Sequence, residues 1–134
     1  MQTGTEHPNV TLIREGMDAF NNGDIDAYAA QLSDDIVWHQ IGAPTLNGKQ
    51  ELAANMPADD TGWSITTDVH DIVGNDDHVI ALVTAHATRP DGQTLDYRTT
   101  EIVHVRDGKI TERWAFSDDT QKIIDFFASY APGS

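Results

Sequence analysis

The side chains best equipped for chemistry lie toward the C-terminal end of the chain. Glu101 in "TLDYRTTEIVHV" and Arg113 in "ITERWAFS" belong to two runs joined by the turn signal "RDGK". Burial of a carboxylate raises its pKa toward the range useful for proton transfer at neutral pH, whereas a nearby guanidinium lowers it and holds the group ionised. Glu101 therefore reads either as an acid/base group or as one half of a structural ion pair with Arg113. Asp118 and Asp119 come next, directly before "TQKIIDFF". There a carboxylate accepts bonds from the free N–H groups of a helix start, so both read as capping residues, Asp118 included. His70, His78, His86 and His104 show no metal-ligand spacing, nor does any other acid/His cluster, and no metal is expected. The nucleophile elbow GxSxG, the phosphate loop and the dinucleotide fingerprint are all missing from the sequence.

Whether Glu101 and Arg113 can meet depends on the turn between them. A two-residue turn at Asp107-Gly108 pairs Val103 with Glu112 and Glu101 with Trp114. A three-residue Arg106-Asp107-Gly108 loop, with Gly108 left-handed, pairs Glu101 with Arg113. The second register is preferred, because it sets opposite charges across from each other and groups Ile102 and His104 with the face of Trp114.

These residues need a scaffold, and its elements can be read from periodicity. Val10, Ile13, Met17 and Phe20 recur at helical spacing after Asn9, a candidate N-cap, and "NNGD" ends the run. Asp24 caps a second helix with Ile25, Tyr28, Ala29 and Leu32 inward. "DDIVWHQIG" is rich in strand formers and predicts a short strand from Ile36 to Ile41. A short helix follows "NGKQELAANM" and ends at Pro57. Then come "WSITTDVHDIV", "HVIALVTAHAT", "TLDYRTTEIVHV" and "ITERWAFS", separated by turn signals, and a last helix from Thr120 to about Ser129. Strands joined by short turns predict an antiparallel meander, and helices on one face of it predict an α+β class, as a single domain over 1–134 with residues 1–8 flexible.

Composition narrows the partners. With 22 acidic against 8 basic residues and a net charge of −14, the chain has no means to grip phosphates, which argues against nucleic acid and anionic membranes. There is no cysteine, no basic-then-apolar start and no run of about 18 apolar residues, so a cytoplasmic protein is expected, with no membrane partner.

The stretches "AFNNGDIDAYAAQLSDDIVWHQIG", "LNGKQEL" and "VHVRDGKITERW", in this order and covering nearly the whole chain, resemble the SnoaL-like branch of the nuclear transport factor 2-like superfamily. The resemblance implies a cone-shaped, curved antiparallel sheet wrapped around the N-terminal helices, with a deep, mostly apolar pocket and a C-terminal helix. Relatives include polyketide cyclases, ketosteroid isomerases, limonene-type epoxide hydrolases and non-catalytic binders, so the site must decide the function. Counting from "DGKI", the cyclase and epoxide-hydrolase carboxylate falls at Ala115, and the isomerases' second acid falls at or near Glu101. That places Thr99, Glu101, Val103, Arg113 and Ala115 on the concave face. Counting from "GDIDA", the isomerases' base falls at Gln40, and the epoxide hydrolases' Tyr and Asn fall at Trp38 and Gln40. Trp38 and Gln40 then line the pocket with His39 outside, whereas a one-residue shift at Gly42 puts His39 at the base position instead. His86, near the epoxide hydrolases' Arg/Asp pair, is a reserve candidate.

What the resemblance implies, taken with these residues, is cofactor-free acid/base chemistry of isomerase, cyclase or lyase type on a small apolar carbonyl or polyketide-like compound. Glu101 or His39 would move the proton, Arg113 and Gln40 would orient the substrate, and Trp38, Met17 and Phe20 would form apolar walls. The alternative is a non-catalytic ligand-binding or interaction module that has lost its acids, as Ala115 and Gln40 suggest. Ile102, Trp114 and Phe116 would form an apolar stripe on the convex face, through which a homodimer is expected.

Overall fold

The computed structural model describes residues 6–55 and 62–128, and the predicted elements are present in the predicted order. Helix α1 (Pro8–Asn21) begins two residues earlier than an N-cap at Asn9 implies, with His7 as the cap residue. Pro8 occupies the first turn, where its missing N–H costs nothing, and the His7 ring accepts from the Asn9 N–H. The Asn9 side chain instead donates to the carbonyls of Asn75 and Asp76. Of the residues expected to be flexible, 1–5 lie outside the described residues. Glu6 holds Arg14 and Thr11, and His7 is bonded to Asp76. Asp24 caps the short helix α2 (Ile25–Ala29) by accepting from Ala27 N–H. Strand β1 runs from Leu32 to Trp38, earlier than the expected Ile36–Ile41. Strand β2 (Leu46–Asn47) and helix α3 (Lys49–Ala54) follow; Pro57, expected to end α3, lies outside the described residues.

Strands β3 (Ser64–Gly74), β4 (His78–Thr88), β5 (Thr94–Arg106) and β6 (Lys109–Ser117) form the antiparallel meander. The six-stranded order is β2-β1-β6-β5-β4-β3. One seam departs from the expected antiparallel sheet: β1 runs parallel to β6, with Trp38 beside Arg113. The sheet is therefore mixed, curved and open, with helices on its inner side. Val10, Ile13 and Met17 of α1 pack there with Ile72, Val79, Ala81, Val83 and Val103. Helix α4 (Thr120–Ala128) buries Ile123 and brings Phe126 and Phe127 onto Trp63, while Phe127 also meets Tyr97.

The hairpin between β5 and β6 differs from both registers read in the sequence. Asp107 and Gly108 both take positive φ, 51° and 74°, so the turn has two residues and pairs Arg106 with Lys109. The extra residue sits further along: between Val105↔Ile110 and His104↔Glu112 the ladder skips Thr111. This bulge restores the parity that a two-residue turn alone would have reversed. Glu101 then faces Ala115, and Arg113 faces Val103. Glu101 and Arg113 share the inner face as expected, but they meet diagonally rather than directly opposite.

Candidate functional site

The inner face of this hairpin opens into a cavity of about 30 Å³, room for roughly two waters. Its walls are mostly apolar, with Ile13, Met17, Val79, Ala81, Val103 and Ile110 around the side chains of Trp38, Tyr28, Gln31, Glu101 and Arg113. Arg113 is held at three points. Its Nε donates to Glu101 Oε1 at 3.3 Å, its Nη1 donates to the His39 carbonyl at 3.1 Å, and its guanidinium lies 4.3 Å over the Trp38 ring. Glu101 and Arg113 are 17% and 14% exposed, dry enough for their pairing to matter. The parallel seam makes this possible, because His39 N–H bonds the Arg113 carbonyl and so fixes the end of β1 beside the guanidinium's own backbone.

Two cavity groups were not singled out as site residues in the sequence. Tyr28 reads there as an apolar helix position. In the fold its ring lies against Phe20 and edge-on to Trp38. Burial pushes its phenol above the usual range, the Glu101 charge pushes the same way, and Arg113 opposes them, so it stays a neutral donor. Tyr97 is shifted upward by the same causes. Gln31 carries a buried, unpartnered Oε1 that packs where a side chain at Gly16 would stand. Neither had a clear local signal: the second helix ends at Ala29, Ile25 on it is 41% exposed, and Leu32, expected on that helix, begins β1.

Of the residues expected at the site, Glu101, Arg113, Trp38 and Met17 meet at the cavity. The other three do not line it. His39 N–H continues the ladder to the Arg113 carbonyl, and its ring lies on the opposite side of the sheet against Glu112 and Trp114, so the one-residue shift that would have made it the base does not occur. The ring stacks on Trp114 (5.2 Å, 14°), and its Nε2 lies 2.7 Å from Glu112 Oε2. Gln40 lies beyond the end of β1, where strand alternation no longer applies, and its amide donates to the Pro44 carbonyl. Phe20 supports Tyr28 rather than facing the cavity. The reserve candidate His86 lies on the outer face between Asp96 (2.7 Å) and Asp68 (2.6 Å), which raise its pKa in that order. The capping pair divides its labour: Asp119 Oδ1 accepts from Lys122 N–H at the start of α4, whereas Asp118 bonds Arg98. Among the described residues, no group of three or more His, Cys, Asp or Glu could hold a metal.

A family model described as the SnoaL-like domain matches residues 13–113. The chain belongs to this family. None of the curated proteins matches it in sequence. Among solved structures, a nuclear transport factor 2-like protein of unknown function from Burkholderia pseudomallei superposes at TM-score 0.76 with 18% identity, covering 87% of this chain and 95% of its own. A limonene-epoxide-hydrolase-like epoxide hydrolase of Mycobacterium tuberculosis gives 0.76 at 18%, covering 93% and 98%. Another M. tuberculosis protein, solved in complex with estradiol-17β-hemisuccinate, gives 0.72 at 17%, covering 83% and 94%. These likenesses establish the nuclear transport factor 2-like fold. No helix among the described residues is long and apolar enough to cross a membrane.

Proposed function

We propose that this SnoaL-like protein binds a small, largely apolar carbonyl or polyketide-like compound in the cavity and performs cofactor-free proton transfer of isomerase, cyclase or lyase type. The observation that carries the reading is the Glu101–Arg113 pair, set in a cavity whose other walls are mostly aliphatic and aromatic. Glu101, held in place by Arg113, takes a proton from carbon next to the carbonyl. The Arg113 guanidinium and the neutral Tyr28 phenol are the donors available to the oxygen on which charge then develops. Trp38 and Met17 contribute apolar wall. At about 30 Å³ the cavity must widen to admit such a compound, through displacement of side chains such as Met17 or Trp38.

A second reading, that of a binder without chemistry, is favoured by Ala115, which stands opposite Glu101 where relatives are expected to carry an acid. One substitution separates the two. Glu101→Gln keeps shape and hydrogen bonding but removes the base. Turnover of a substrate found by screening carbonyl compounds should fall about 100-fold or more with ligand affinity retained. Unchanged turnover would end the enzymatic reading. The proposal also includes a cytoplasmic homodimer formed through Ile102, Trp114 and Phe116, all on the outer face, where Phe116 is 57% exposed.

A further inference from the structure

Among the described residues, three buried side-chain oxygens are without a hydrogen-bond partner: Gln31 Oε1, Ser33 Oγ and Thr99 Oγ1. Of these three residues, only Gln31 lines the inner cavity. Folded proteins pair nearly all such groups, so an orphaned amide oxygen at a cavity wall is a place where a ligand can supply the missing bond. The residue is also held in place. Its N–H donates to the Tyr28 carbonyl at 3.1 Å, and its own carbonyl accepts from Ile110 N–H at 2.8 Å. The amide end fills the space that Gly16 of α1 leaves, where a Cβ would collide with Oε1. Gln31 reaches the cavity away from the Glu101–Arg113 pair. Ile110, to which it is bonded, precedes Arg113 by three residues of β6, a span of about 10 Å at the rise of a strand.

We propose that Gln31 determines specificity: among the small carbonyl compounds proposed for this cavity, it selects those that carry a hydroxyl group on the side away from the carbon that Glu101 deprotonates. The inference rests on the carbonyl-compound reading of the cavity and adds a second polar group to the ligand. A hydroxyl suits the site best. The amide offers an acceptor and a donor, which a turn about its terminal bond exchanges, and a hydroxyl can serve either one. A carboxylate there would set a second acid in the cavity with Glu101, while Arg113 is already engaged. An apolar group would leave Oε1 unpaired, which disfavours binding of the analogue that lacks the hydroxyl. By the same reasoning the amide contributes nothing to the stability of the protein alone, so its role is toward a ligand.

Isothermal titration calorimetry with two matched pairs of ketones tests this: cyclohexanone with 4-hydroxycyclohexanone, and 1-tetralone with 6-hydroxy-1-tetralone. The hydroxylated member of at least one pair should bind the wild type about tenfold more tightly. Gln31→Met keeps the length and removes the amide. It should bring the two members level, leave the plain ketone within about twofold, and melt no lower than the wild type. Gly16→Ala, which drives the amide out of its place, should also remove the preference, whereas Glu101→Gln should retain it. A preference that survives Gln31→Met or Gly16→Ala puts the hydroxyl elsewhere and overturns the inference. A lower melting point for Gln31→Met also overturns it, by making the amide structural. A wild type that binds both members of each pair equally overturns it while leaving the carbonyl reading intact. A wild type that binds none of the four at millimolar concentration overturns both.

Discussion

Glu112 and Arg113 are neighbours in the chain, yet each pairs with a different partner on a different side of the sheet. Arg113 turns inward to Glu101, in a cavity with apolar walls. Glu112 turns outward to His39, where the two side chains keep 29% and 31% exposure. The chemical ingredients are alike, but the solvent is not. In the cavity a lost partner leaves a charge in poor dielectric, while on the outer face water replaces much of what is lost. The comparison teaches that on these strands residue parity, more than residue type, decides which acid is in a position to do chemistry.

Removing one nitrogen-bearing partner from each pair separates the two sides most clearly. Arg113→Met should cost about 3 kcal/mol, because it strands Glu101 and also cuts the bond to the His39 carbonyl. His39→Ala should cost about 1 kcal/mol or less. Equal losses in chemical denaturation would mean that the cavity is wetter than its lining suggests. A smaller effect separates the two sides by pH. Tyr28 stays protonated in the fold above the ordinary phenol range, so the unfolded chain loses its proton first as pH rises past ~10, and stability falls from there upward. Tyr28→Phe should flatten that alkaline decline, whereas His39→Ala should leave it unchanged; denaturation midpoints at pH 9 and pH 11 decide. The smallest effect lies where β6 hands over to α4. Asp119→Ala should cost about 1 kcal/mol through the lost cap, and Asp118→Ala should cost less, since its exposed carboxylate pairs with Arg98 at the surface. The reverse ranking in thermal melts would restore Asp118 as the cap.

Much of this was legible in the sequence because it is local. Helical spacing found α1 and α2 and turn signals separated the four strands of the meander, while the resemblance to the SnoaL-like family placed Trp38, Glu101 and Arg113 on the pocket side. The turn itself was misread. "RDGK" is compatible with two or three loop residues, and the compensating bulge at Thr111 leaves no local signature, since it answers the curvature of the whole sheet. The face assignment was right, although the register behind it was not. Counting along the family resemblance puts Gln40 in the pocket, but β1 stops at Trp38 and the chain turns away before Gln40. Tyr28 went unnoticed as a donor because, in a helix, a phenol among aliphatic positions reads as packing until a carboxylate from the other end of the chain is set beside it.

The parallel seam also carries a consequence for time. Leu32 to Trp38 must wait for a strand that begins at Lys109, with the entire meander made in between. Such a closure ties segments more than seventy residues apart, so its loop-entropy cost falls late and slows the search for the native state. During synthesis, β1 emerges with Leu32 and Ile36 and no sheet to join. The Trp38–Arg113–Glu101 cluster can form only after β6 leaves the ribosome. Assembly of the cavity and completion of the fold are therefore one event, and a chain halted before β6 has neither.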